Sequence, residues 1–164
     1  LAHAFGRIGC VMNGCCYGQR TNVPWAIRFA RVPWDFSLEP TGSPAYVDHC
    51  QRFSGISPTV DHWSYPIHPT QFYEIVGLLI ILAALLFIRK RGWFVQGSML
   101  PLYLIFYGIV RFIVEFYRGD HNPVVFGSIS VQQLFCLVFV AVGSIVLVLL
   151  TRHTKAAAAL SPAK

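Results

Sequence analysis

Apolar runs and charged punctuation divide the chain into four long hydrophobic stretches and one region of another character. The richest stretch, Gly97 to Arg118, reads GSMLPLYLIFYGIVRFIVEFYR. Its first fourteen residues carry no charge, and Arg111, Glu115 and Arg118 then enter an otherwise apolar and aromatic run. Tyr107, Arg111 and Glu115 stand at i, i+4 and i+8, which puts them on one helical face. Twenty-two residues at about 1.5 Å each span about 33 Å, enough to cross a bilayer. An Arg and a Glu inside such a helix are costly in hydrocarbon and are expected to face protein or a wet cavity, where they usually serve function. The alternative is a pair that only neutralises itself while locking helix packing. Arg118 argues against it, since it leaves the cluster a surplus positive charge.

The other stretches follow in order. Leu1 to Met12 reads as the outward end of a membrane helix, closed by the turn-prone NGCCYG at Asn13–Gly18. Residues 19–67 hold six prolines, mixed charges and three tryptophans, and predict an irregular outer loop region, functional or a structural cap. Within it, Pro24 to Phe29 alternates apolar and other residues and predicts a short strand on the membrane surface. Phe72 to Ile88 is the next span, with Trp63, Tyr65, Phe72 and Tyr73 at its outer end and Arg89, Lys90, Arg91 and Trp93 at its inner end. Gly119–Ser128 is expected to be an outer loop. Val131 to Leu150 then returns inward, and residues 156–164 read as a frayed cytoplasmic tail.

Composition agrees with a membrane class. The 164 residues are 55% hydrophobic and only 12% charged, against about 25% charged in soluble domains, and the mean hydropathy is +0.54. A formal charge of +6 could point to nucleic acid, but Arg89, Lys90, Arg91, Arg152, Lys155 and Lys164 flank apolar runs with no acidic residue among them. That is the positive-inside pattern and not a nucleic-acid stripe. The fold class expected is therefore an all-α integral membrane bundle, with about three full spans and a partial N-terminal one. It forms a single membrane domain over residues 1–155. No secretory signal can be read at Leu1, which opens inside an apolar stretch, and an N-terminal part is expected to precede it. With both basic loops inside, Arg7, His68, Arg111 and Arg118 fall at one outer depth, as a single site would require.

The segments GRIGCVMNGCCYG, PWAIRF, HPTQFYE and YGIVRFIVEFYR, in that order, resemble the prolipoprotein diacylglyceryl transferase family. Its enzymes move a diacylglyceryl group from phosphatidylglycerol to the lipobox cysteine of bacterial prelipoproteins, forming a thioether. The resemblance covers nearly the whole chain and corresponds to the C-terminal part of a longer, multi-span enzyme of the bacterial inner membrane, with its site toward the outer leaflet. The family's essential Arg in G-R-x-G-N matches Arg7, and the glycine ending that motif matches Gly18. Its H-P-S/T-Q-x-Y-E motif matches His68, Pro69, Thr70, Gln71, Tyr73 and Glu74. Its Y-G-x-x-R-x-x-x-E motif matches Tyr107, Arg111 and Glu115. Two positions depart from the pattern: Cys10 stands for the motif Asn, and N-G-E becomes Asn13-Gly14-Cys15. The family's upstream His-Gly-Gly stretch would lie before Leu1.

The residues suit this chemistry by themselves. Moving a glyceryl carbon from phosphate to sulfur needs a thiolate nucleophile and a stabilised phosphate leaving group. A planar guanidinium binds phosphate oxygens in pairs and stays charged in a dry site. Arg7, Gly18, Tyr107, Arg111 and Arg118 are thus the expected headgroup-binding residues, with interfacial snorkelling the alternative for Arg7 and aromatic packing for Tyr107. His68, Arg111 and Glu115 are the expected catalytic residues. Glu115 orients Arg111, and His68 either serves as base for the thiol or caps the helix that starts at Pro69. His3, four residues before Arg7, reads as a packing residue.

Cys10, Cys15 and Cys16 form C-x4-C-C, which matches no firm metal spacing. Cys50, in the outer loop, could pair with Cys15 or Cys16, and Cys136 reads as core filling. No metal and no cofactor are assigned. The expected partners are phosphatidylglycerol, a prelipoprotein signal peptide with its lipobox cysteine, and the lipid bilayer. Two other readings stay open: a non-transferring homologue that binds phospholipid headgroups, and a membrane thiol or metal protein built on the three clustered cysteines.

Overall fold

The computed structural model describes residues 2–31, 42–55, 61–120, 124–126 and 129–160. The remaining parts of the expected outer region (32–41 and 56–60), of the loop after Gly119 and of the tail (161–164) lie outside the described residues. The described elements are α1 (Ala2–Asn13), α2 (Pro44–Arg52), α3 (Thr70–Arg91), α4 (Met99–Glu115), β1 (Val124–Phe126), β2 (Ile129–Ser130) and α5 (Val131–Leu160). The chain divides into two compact units, one of Val76–Glu115 with Asn122–Lys164, the other of Ala2–Ile75 with Phe116–His121.

The first unit is helical. α3 is 22 residues long, and Val131–Thr154 within α5 spans 24; both are long and apolar enough to cross a membrane. Only 22% and 11% of their apolar windows are buried among the described residues. Their exposed leucines, isoleucines, valines and phenylalanines need hydrocarbon or protein against them. α4 is shorter than the predicted 97–118 helix: its 17 residues reach about 26 Å. The number of membrane-capable helices is therefore two among the described residues. α5 continues past the expected Leu150 to Leu160.

α4 and α5 cross closely. A Cβ on Gly108 would come within 2.8 Å of Val140 Cγ2 and 2.9 Å of the Cys136 carbonyl oxygen. Cys136 itself is 1% exposed, filling the crossing as a small residue should. Replacing Gly108 by Val is expected to destabilise the detergent-solubilised protein by about 1–3 kcal/mol through overpacking. Gly6→Ala is the control, because nothing lies within 4 Å of a Cβ there. Equal thermal unfolding of Gly108→Val and the parent would refute the close crossing.

The second unit is built on backbone pairing between distant segments. Gly18 bridges Arg118, while Arg20 and Ile27 both bridge Ile67, and Ala30 bridges Trp63. The predicted strand at Pro24–Phe29 is thus a single bridge at Ile27, with Ser64 N donating to Phe29 O at 2.8 Å beyond it. α2 was not expected at all. Its N-cap is Ser43, whose side chain accepts from Tyr46 N, and proline opens the helix. Tyr17, Ala45 and Ile67 form the core beneath, with Ile27 and Phe29 against them.

Candidate functional site

In the second unit, α1 carries Arg7 and ends in a tight turn. Gly14 N donates to Val11 O at 3.2 Å, and Cys15 N to Cys10 O at 3.2 Å. Gly14 (φ +69°) and Cys16 (φ +56°) both take the left-handed conformation, which for a cysteine must be held by its surroundings. Two side chains of the first turn of α3 hold it: Thr70 Oγ1 donates to Cys16 O and Gln71 Nε2 to Cys15 O, each at 2.8 Å. Both residues are 1% exposed.

The next residues form a three-segment platform. Gly18 N donates to His68 O (3.1 Å), His68 N to Gln19 O (3.0 Å), Gln19 N to Tyr117 O (2.8 Å) and Gly119 N to Tyr17 O (3.0 Å). Position 18 admits only glycine, since a Cβ would collide with the His68 carbonyl and reach within 2.8 Å of Tyr117 O. Arg7, Gly18, His68 and Arg118, which are far apart in sequence, are thereby gathered into one unit.

Each charged member has a defined partner. Arg7 Nη2 meets Glu74 Oε1 at 2.6 Å, with the two side chains 15% and 3% exposed. Arg118 forms a two-pronged pair with Asp120, Nε to Oδ1 at 2.7 Å and Nη2 to Oδ2. The surplus charge expected of Arg118 is therefore balanced, and Arg118 lies beyond the end of α4. The His68 ring bonds Tyr73 Oη through Nδ1 at 3.0 Å, and Tyr73 Oη also accepts from Trp25 Nε1 at 2.8 Å. His68 precedes α3, which begins at Thr70 and not at the expected Pro69, and Thr70 N donates to the His68 carbonyl at 2.9 Å.

Cys10, Cys15 and Cys16 converge beside these groups, their Sγ atoms all within 4.8 Å of one another. All five cysteines, including Cys50, are free thiols. Burial pushes the Cys16 thiol up to about 11, while the charges of Arg118 and Arg7 act to lower it and the other two cysteines to raise it. The unit also holds a cavity of about 270 Å³ that sequence reasoning missed, lined by Gly18, Arg20, His49, Arg52 and Phe53 among others. Arg20 lies over the Tyr65 ring at 3.6 Å, and Arg52 pairs with Asp48 at 2.7 Å. Burial, helped by the Arg20 and Arg52 charges, holds His49 below the ordinary imidazole value, with Asp48 opposing.

In the first unit, α4 presents Arg111, which is 2% exposed. Its Nη1 meets Glu115 Oε2 at 2.7 Å, the i, i+4 pair expected from the sequence. Glu115 Oε1 accepts from Ser130 Oγ at 3.0 Å. Ser130 is in turn the N-cap of α5: Gln133 N donates to its Oγ at 3.1 Å and its own N donates to Gln133 Oε1 at 3.0 Å. This is a capping box whose serine hydroxyl also holds the carboxylate that faces Arg111. Sequence reasoning passed over Ser130 and Gln133, although S-x-x-Q before an apolar run is a readable signal. Tyr107 stacks on Tyr103, ring centroids 5.8 Å apart and planes 8° from parallel.

The profile of the prolipoprotein diacylglyceryl transferase family matches residues 1–149. Among similar proteins are phosphatidylglycerol–prolipoprotein diacylglyceryl transferases from three bacteria. That of Clostridium tetani is 33% identical over 144 residues, 87% of this chain and 46% of its own length. The second such enzyme of Clostridium perfringens is 34% identical over 147 residues, 90% of this chain and 46% of its own. That of Treponema pallidum is 28% identical over 160 residues, 87% and 48% of the two chains. The chain spans about half the length of these relatives. No solved structure matches it.

Proposed function

This chain belongs to the prolipoprotein diacylglyceryl transferase family, and we propose that it transfers a diacylglyceryl group from phosphatidylglycerol to the lipobox cysteine thiol of a bacterial prelipoprotein. The observation that carries this reading is the convergence of motif residues from three separate segments in the second unit. Arg7 engages Glu74, and Gly18 pairs with both His68 and Arg118.

In the proposed reaction the substrate sulfur attacks the glyceryl carbon. The new C–S bond forms as the C–O bond to phosphate breaks, and glycerol phosphate leaves with the electron pair. Guanidinium groups suit the leaving phosphate, because they keep their charge where water is scarce. Arg7 and Arg118 take that role in the second unit, each aligned by its carboxylate, with Gly18 letting backbone approach closely. Arg111 takes the same role in the first unit, oriented by Glu115, and Tyr107 is a further headgroup contact. His68 receives the thiol proton. Where Nδ1–H donates to Tyr73 Oη, Nε2 presents its lone pair to the thiol; the opposite tautomer leaves Nε2 protonated and inactive as a base.

The protein is proposed to sit in the bacterial inner membrane, crossing it several times, with this site toward the outer leaflet. The two long apolar helices and the basic residues flanking them support that orientation. The test is complementation. The full-length protein, expressed in a bacterium depleted of its own transferase, is expected to restore growth and a diacylglyceryl mass increment on a reporter prelipoprotein. A correctly inserted protein that binds phosphatidylglycerol vesicles yet yields no increment would replace this reading with that of a non-transferring lipid binder.

A further inference from the structure

Cys10, Cys15 and Cys16 hold three Sγ atoms within 4.8 Å of one another, and we propose that they form a three-thiolate site for a soft cation with a filled d shell, zinc(II) or copper(I). The spacing C-x4-C-C does not announce such a site; the fold makes it. The turn after α1 carries Cys15 back over the last helical turn, so that Cys15 N bonds Cys10 O at 3.2 Å. Cys16 is the one non-glycine residue with positive φ among those described. The carbonyls of Cys15 and Cys16 are clamped by two buried side chains of α3, Gln71 and Thr70. The ligands are thus set on a braced backbone, which lowers the ordering cost of binding.

The distances suit coordination. Zinc–sulfur bonds of about 2.3 Å in a tetrahedron put sulfurs about 3.8 Å apart. The widest pair must close by about 1 Å, within reach of small side-chain rotations. Among the described residues no His, Asp or Glu joins the three. Zinc would therefore keep one open position for water or an incoming ligand, whereas copper(I) is satisfied by thiolates alone. Three thiolates leave an excess of negative charge on either ion. The three thiols are half-buried, unlike Cys136, which is buried at 1% as a packing cysteine. The site does not rest on the transferase reading; it needs only this turn.

The full-length protein, purified in detergent under reducing conditions, should be titrated with zinc(II) alone and with copper(I) alone against a competing chromophoric chelator. Cadmium(II) in a parallel titration counts thiolates through its sulfur-to-metal charge-transfer band. About one ion per chain is expected, with a three-thiolate cadmium band. Loss of an outer-shell partner alone costs about 10–100-fold in affinity, so Cys10→Ser, Cys15→Ser or Cys16→Ser should each weaken binding at least about tenfold. Cys50→Ser and Cys136→Ala should leave it unchanged. Failure of both ions to bind, binding unaffected by the three serine variants, or a band of one or two thiolates would overturn the site. So would a disulfide between any two of the three, trapped by rapid alkylation of native membranes. Should the turn variants fail to fold, Cys10→Ser on α1 and the cadmium count of the parent protein decide.

Discussion

Arg111→Lys is expected to fail almost as completely as Arg111→Ala in lipid transfer. Lysine keeps the charge but replaces a planar fork of donors by one compact ammonium. It cannot both meet Glu115 and hold a phosphate oxygen pair in one geometry. Charge-assisted hydrogen bonds are worth about 1.5–3 kcal/mol each, so the loss of one or two predicts at least about a tenfold fall in turnover or lipid affinity. The surroundings complicate the alanine variant. Arg111 and Glu115 side chains are 2% and 3% exposed, and removing one member of so buried a pair costs about 3–5 kcal/mol in stability. The double replacement Arg111→Met with Glu115→Leu removes both charges and should recover much of that stability while leaving transfer abolished. Glu115→Gln should weaken transfer less than Arg111→Lys, and Ser130→Ala less again, since its hydroxyl reaches Arg111 only through Glu115 Oε1, its other bond being the cap of α5. Arg89→Lys, at the end of α3, is the control and should be nearly silent. Full activity of a correctly inserted Arg111→Lys protein would reduce Arg111 to a charge partner of Glu115.

What could be read in the sequence depended on whether the deciding interactions were local. α3 was legible because the apolar run Ile75–Ile88 meets Arg89-Lys90-Arg91 at one end, and His68-Pro69 marks the start at the other. The Arg111–Glu115 pair was legible because i, i+4 spacing on a helix fixes the neighbours. The end of α4 was not. Phe116, Tyr117 and Arg118 contain no helix breaker, and the helix stops because residues 117–119 pair instead with Tyr17, Gly18 and Gln19. That competition is between segments about a hundred residues apart and leaves no local trace. Arg118 consequently pairs with Asp120 beyond the end of α4.

α2 was missed for a different reason. Ser43-Pro44 is a sound helix start, but the proline-rich surroundings argued for irregular chain. The motif residues of the second unit were individually legible by resemblance, yet their pairing was not. Nothing in G-R-x-G says that Arg7 will meet Glu74, nor does C-x4-C-C predict that three thiols will converge. Both depend on α1 and the first turn of α3 sharing one unit.

That shared turn underlies the remaining large effect, at Arg7. Arg7→Ala is expected to destabilise the full-length protein by about 3–5 kcal/mol, because it removes the close partner of a largely buried carboxylate. Glu74, 3% exposed in its side chain and 2.6 Å from Arg7, would then hold its charge at a desolvated position. Converting that carboxylate to an amide removes the charge, so Arg7→Ala with Glu74→Gln should be markedly more stable than Arg7→Ala alone. Denaturant unfolding of the four proteins of this cycle measures the coupling, and simple additivity of the two single changes would refute a strong ion pair. The same cycle separates structure from chemistry. If Arg7 grips the departing phosphate, the double variant regains stability but remains at least about tenfold impaired in transfer, since the lost charge-assisted bond is not restored. If transfer returns with stability, Arg7 serves only to tie α1 to α3. The phosphate in the second unit would then have to be held by Arg118, and Arg118→Lys should become the more damaging single change.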